Sequence, residues 1–254
     1  MKAARVCTHL FVMLALPLSV AACDMGDGNS KVLGSIDVAS GSSVRDATTV
    51  NGAVRVGANA KAGDATTVNG SVTVAGGGVV GDATTVNGSI RLEENAVARD
   101  ATTVNGSIAL AAGAQVKHDA TTVNGSMTLA PGATVGGKLT NVNGHIAVTD
   151  AHVGGGIETA NGNIDITGKS VVDGGITVKK PKHGGFFGIS FGSDCVPRIV
   201  IGPGATVNGP LTFERKVNLY ISDQAHVSGT VSGATAVKFS GDTPPASPDS
   251  CGRG

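Results

Sequence analysis

The heptapeptide Asp-Ala-Thr-Thr-Val-Asn-Gly occurs five times, at 46–52, 64–70, 82–88, 100–106 and 119–125. Aligning its last glycine with looser copies gives Gly34, Gly52, Gly70, Gly88, Gly106, Gly125, Gly144 and Gly162, spaced by 18 or 19 residues. A fixed period of this size marks a solenoid, in which each repeat buries its apolar side by stacking on its neighbours. Within one repeat the apolar or small positions fall at Ile90 and Leu92, at Ala96 and Ala98, then at Thr102 and Val104. Positions two apart follow the strand period. Three such pairs per repeat describe a coil with three short sides. Corners are expected at Asn87-Gly88, Glu93–Asn95 and Arg99-Asp100, where Gly and Asn tolerate the positive φ of a sharp bend. Thr-Thr-Val and frequent glycine argue against helix. A hairpin at Asn-Gly is set aside, because no second strand of matching length follows before the next corner. The expected fold is all-β, a three-sided parallel β-solenoid (β-helix) with coils of 18–19 residues.

The pattern also divides the chain. Residues 1–22 read as a signal peptide: Lys2 and Arg5 precede an apolar run from Val6 to Val20, and Val20-Ala21-Ala22-Cys23 has a small-residue cleavage pattern. This segment resembles the lipobox of bacterial lipoproteins, which implies that Cys23 becomes the lipidated first residue of the mature chain. The apolar run is short for a membrane span of ~20 residues, whereas acyl chains contribute about 0.8 kcal/mol per buried CH₂. Asp24 resembles an inner-membrane retention mark whose rule varies among species, so inner versus outer membrane stays open. The expectation is a chain exported across the inner membrane and lipid-anchored in the bacterial cell envelope. Residues 23–33 read as a polar, Gly-rich tether, 34–180 as the solenoid, 181–197 as an aromatic Gly-rich insertion, 198–240 as further coils and 241–254 as a Pro-rich tail.

Cleavage would remove Lys2 and Arg5 and no acid, moving the formal charge from 0 to −2. That balance leaves no electrostatic footprint for nucleic acid. Cys7 leaves with the signal and Cys23 carries lipid, so Cys195 and Cys251 are expected to form a disulfide in an oxidising compartment. Residues 34–180 contain no aromatic side chain. The core must then be narrow and filled by Val, Ile, Leu, Ala and Thr, with the backbone ladder sharing the work of holding it.

Several columns of like residues follow from the period. Asp46, Asp64, Asp82, Asp100 and Asp119 would lie ~4.8 Å apart, where like charges repel by about 0.9 kcal/mol in bulk water and more near a protein surface. One resolution is a bound cation such as calcium. The other is a carboxylate that accepts a corner N–H, helped by Arg45, Arg99, Lys117 or His118. Thr48 with Thr49, and their equivalents, form two columns on opposite faces. An outward threonine column resembles the surface of ice-binding solenoids, although those show Thr-x-Thr rather than adjacent threonines; a β-former ladder is the plainer reading. Asn51, Asn69, Asn87, Asn105, Asn124 and Asn143 read as amide ladders supporting the corners. His118, His145, His152, His183 and His226 lack paired metal-ligand spacing, and no metal site or cofactor is assigned. Phe186, Phe187 and Phe191 follow Lys179-Lys180-Pro181-Lys182 and read either as a partner or membrane contact or as a lid on the core.

The Val-Asn-Gly-Ser-Ile coil, with Ala-x-Val followed by Gly, resembles two bacterial groups. One is the exported putative-adhesin family, which shares this coil. The other, more distantly, is the bactofilins, which polymerise end to end through a three-sided solenoid and are cytoplasmic, unlike a chain with an export signal. Neither group supplies catalytic residues, and with the export signal the expectation is a non-catalytic lipid-anchored protein whose solenoid acts as a structural, adhesin-like or self-assembling scaffold. No cofactor is expected, and solenoid ends, which expose strand edges that must be covered or will pair with another chain, offer a route to self-association. The alternatives are a module that binds a cation, a glycan or ice through the Asp or Thr columns, and a hexapeptide-type acyltransferase with a histidine base. The export signal, which removes the chain from acyl-CoA donors, weighs against the acyltransferase. The expectation is therefore that the protein is not an enzyme.

Overall fold

Short strands separated by sharp corners wind into an all-β solenoid of about eleven turns, in which the paired strands run parallel. The computed structural model describes residues 29–180 and 195–246. One coil shows the plan. Asp100–Asn105 forms the first side, Ile108–Leu110 the second and Gln115–Val116 the third. Each strand pairs with its equivalents one coil before and one coil after, in a register of 18 or 19 residues.

The core follows the strand alternation, with one change of phase. Ile90, Leu92, Ala96 and Ala98 point inward as their spacing predicts, each wholly buried. On the first side, however, the inward residues are Ala101 and Thr103, not Thr102 and Val104. The reason is local hydrogen bonding. Inside the coil the Thr103 hydroxyl donates to the Gly88 carbonyl at 2.8 Å, and Thr49, Thr67, Thr85 and Thr122 do the same for Gly34, Gly52, Gly70 and Gly106. The N–H of Ser107, which would otherwise be the ladder partner of Gly88, turns instead to Ser89 Oγ at 3.2 Å. A buried carbonyl left without a donor costs more than a buried threonine that supplies one.

The corners divide their requirements differently from expectation. Positive φ is needed at the Glu93–Asn95 corner, where Gly41, Asn59, Gly77, Asn95, Gly113, Gly132, Asp150, Gly168 and Gly204 form a left-handed column. At Asn-Gly, the glycine is required for another reason: a Cβ on Gly70, Gly88, Gly106 or Gly125 would collide with the carbonyl of the glycine one coil earlier. The coils approach too closely there for any side chain.

Strands Leu139–Thr149 and Asn161–Thr167 continue around this corner and join the first two sides into one sheet. The chain leaves the same corner after Ile176–Val178 and returns at Arg198–Ile201, which pairs with Ile164–Ile166. The 181–197 insertion therefore replaces an Asn-Gly corner without breaking the sides. Of its residues, Phe186, Phe187 and Phe191 lie outside the described residues, as do Cys23 and Cys251.

The two ends differ from the middle. Asn29–Leu33, within the expected tether, forms a strand paired with Ala47–Asn51. At the other end the inward first-side column changes from threonine, through Asn141 and Thr159, to Val178 and Phe213. A second apolar cluster of Val200, Tyr220 and Phe239 sits apart from the main core, and Arg198 lies over the Tyr220 ring at 5.6 Å from its centroid. Such a cation–ring contact adds to the packing of an aromatic side chain.

Candidate functional site

The outward columns and the two ends carry the available chemistry. In the aspartate column, Asp46 Oδ1 accepts the N–H of Asp64 at 2.9 Å, and Asp64 Oδ1 that of Asp82 at 2.9 Å. Asp100 and Asp119 accept the N–H of Asp119 and Lys138 in turn. The carboxylates thus bond the backbone of the next corner. Arg99 spans the column: its guanidinium reaches Asp82 at 2.6 Å, Asp64 at 3.5 Å and Asp100 at 3.7 Å. The hydrogen bond and charge of Asp82, with Asp64 and Asp100 behind it, raise the Arg99 pKa further above its usual value. His118 Nδ1 lies 3.2 Å from Asp100. Among the described residues no group of three or more His, Cys, Asp or Glu is placed to hold a metal ion.

The remaining histidines with side-chain partners also meet carboxylates. His145 Nε2 is 3.0 Å from Asp165, which Arg198 approaches at 3.1 Å. His152 Nε2 is 2.7 Å from Asp173, whose other oxygen accepts the Asn208 amide at 2.9 Å. The His152 bond, then that of Asn208, hold the Asp173 carboxyl below the usual carboxylate range.

On the outer face of the first side stand Thr48, Thr66, Thr84, Thr102, Thr121 and Thr140, in register. Their partners two residues on are Val50, Val68, Val86, Val104, Val123 and Val142, all half-buried. The face is therefore Thr-x-Val, because the second threonine of each pair is the inward hydroxyl of the corner. Beside it runs the amide ladder. Each Asn Nδ2 donates to the Oδ1 one coil earlier, from Asn69 on Asn51 at 2.9 Å to Asn161 on Asn143 at 2.9 Å.

A polar clamp that the repeat did not announce closes this ladder. Arg215 donates to Asn161 Oδ1, to the Ala160 carbonyl at 3.1 Å and to the Cys195 carbonyl at 2.9 Å. Cys195 is itself disulfide-bonded. Asn141 takes the corner role of threonine, giving Nδ2 to Gly125 O at 2.7 Å, but its buried Oδ1 meets no donor among the described residues. An isolated substitution in a degenerate repeat was the available signal for Asn141. Nothing in the sequence linked Arg215 to Asn161.

The ends are where apolar surface is open. Among the described residues the large hydrophobic side chains that remain exposed are Val32, Leu33, Val231 and Val237, at 54%, 74%, 41% and 49%. All four belong to the first or last coil. Among the described residues, Asn29–Leu33 and Ile36–Val38 pair on one side only, as do Val231–Ser232 and Ala236–Phe239. No described helix is long and apolar enough to cross a membrane. Comparisons with protein-family models, with curated proteins and with solved structures give no match.

Proposed function

We propose that this protein is a non-catalytic, lipid-anchored scaffold of the bacterial envelope whose solenoid associates with further copies of itself through its ends. The observation that carries the reading is that, among the described residues, large exposed apolar side chains are confined to the terminal coils, on strands paired along one edge. Such edges template pairing with another chain. First-side strand precedes second-side strand in both terminal coils, Asn29–Leu33 then Ile36–Val38, and Val231–Ser232 then Ala236–Phe239. Head-to-tail stacking would continue both parallel ladders, and a heterologous contact of this kind grows into a filament. Five residues, 24–28, lie between Cys23 and Asn29, a reach of at most roughly 20 Å when extended. Each junction would then lie close to the anchoring membrane, with the filament along its surface.

The test is light scattering with negative-stain microscopy on residues 24–254, exported without the lipid cysteine. Rods that lengthen with concentration, and that disperse on Leu33→Lys or Val237→Lys, are the expected result. A monomer at every concentration would overturn self-association. The anchor is tested separately by acyl labelling of the full chain, which should disappear in Cys23→Ser.

A further inference from the structure

Asn-Gly is the dipeptide most open to intramolecular deamidation, because glycine offers an unhindered backbone nitrogen to the preceding side-chain amide. The chain has eight such steps, at Asn51, Asn69, Asn87, Asn105, Asn124, Asn143, Asn161 and Asn208. In the ladder both reacting groups are occupied. The N–H of Gly52, Gly70, Gly88, Gly106 and Gly125 donates to the asparagine carbonyl of the next coil at 3.0–3.1 Å. Each amide from Asn69 to Asn161 is tied to its neighbour through Nδ2. The Gly162 N–H is held by Thr159 Oγ1 at 3.0 Å, and Gly144 lies inside a paired strand.

Asn208 stands elsewhere. It occupies the corner after Thr206–Val207, the corner that carries aspartates in the early coils. Its side chain is exposed, and its amide donates to Asp173 Oδ1 at 2.9 Å. The Gly209 N–H has no hydrogen-bond acceptor among the described residues.

We infer that Asn208 is a site of spontaneous deamidation, and that the amide ladder protects the other Asn-Gly steps from the same reaction. The Gly209 nitrogen attacks Asn208 Cγ; the N–Cγ bond forms and the Cγ–Nδ2 bond breaks. The proton lost from Gly209 leaves with Nδ2 as ammonia, giving a five-membered succinimide. Water then opens either carbonyl to aspartate or isoaspartate at this position. Both products set a second carboxylate against Asp173, whose charge His152 already partners. The isoaspartyl form also adds a methylene to the backbone beside Gly209, where a mere Cβ would collide with Gly174. Modification therefore loosens the final coils and leaves the repeat region intact.

The full chain is incubated folded in mildly alkaline buffer, and in parallel in urea, then digested with trypsin and read by mass spectrometry. The peptide 199–215 reports Asn208. In the folded chain the ladder amides react only after coils open, so Asn208 should be modified at least about tenfold faster than any of them. In urea all eight should react at similar rates, and Asn208→Gln should leave 199–215 unchanged. Folded-state modification spread evenly along the ladder would overturn the protection. An unmodified Asn208 in folded protein, with modification in urea, would overturn the site.

Discussion

Arg215 donates to Oδ1 of Asn161, the last amide of a ladder that starts at Asn51, although the two residues are 54 apart in sequence. The same guanidinium holds the carbonyls of Ala160 and Cys195. One side chain thus joins the end of the repeat to the point where the chain re-enters the solenoid.

Arg215→Ala removes the guanidinium hydrogen bonds to Asn161 Oδ1 and to the Ala160 and Cys195 carbonyls. Hydrogen bonds to charged groups contribute about 1.5–3 kcal/mol each at best, and the site is half-buried, so a loss of ~2 kcal/mol in chemical denaturation is expected. Arg215→Lys should recover little of it, because an ammonium lacks the planar fork that serves three oxygens at once.

The paired threonines should respond oppositely to one substitution. Thr103→Val removes the donor of the Gly88 carbonyl and should cost about 1–3 kcal/mol. Thr102→Val, on the outer face, should stay within about 0.5 kcal/mol. Equal effects measured by thermal unfolding would mean that the corner bond has no energetic weight.

The three-sided coil, its period and its corners were readable in advance because a repeat states the same contacts many times. The phase of the first side was not. Thr102 and Thr103 are the same residue type, and the choice between them rests on the Gly88 carbonyl, an acceptor that appears only once coils are stacked. The aspartate column was visible as a row of charges. That its oxygens meet successive backbone N–H groups depends on corner geometry, and Arg99 as the bridging cation was one of four candidates. Arg215 and Asn141 were not readable, since neither belongs to a periodic column that would point to its partner.

Two glycine corners make a third comparison. Gly106→Ala places a Cβ on the Gly88 carbonyl and should cost about 1–3 kcal/mol, as overpacking does. Gly132→Asn should be tolerated. Its φ is +75°, the nearest atom to a new Cβ is 3.6 Å away, and Asn59 and Asn95 already occupy that column. Refolding yields and melting temperatures of the two variants separate close approach from backbone conformation.

The Asp173 carboxyl is lower in the folded chain than its unfolded value of about 3.9. A depressed folded pKa stabilises above the unfolded value, and that contribution is lost as pH falls through the folded one. Asp173→Asn should therefore lower stability at neutral pH. The gap to the unsubstituted protein should close in strong acid, where a protonated carboxyl and an amide are nearly alike. A gap independent of pH would assign the effect to packing.

Each rung of the amide ladder repeats the one before it: Asn69 meets Asn51, and Asn87 meets Asn69, by the same bond at 2.9 Å. A chain with such rungs has no seam. Whole 18-residue units between Gly52 and Gly106 can be lost or duplicated and the cut ends will rejoin the same partners. Slippage in the repeated stretch of its gene would therefore change the molecule's reach in steps of ~4.8 Å, making copy number a measure of distance rather than a threat to folding.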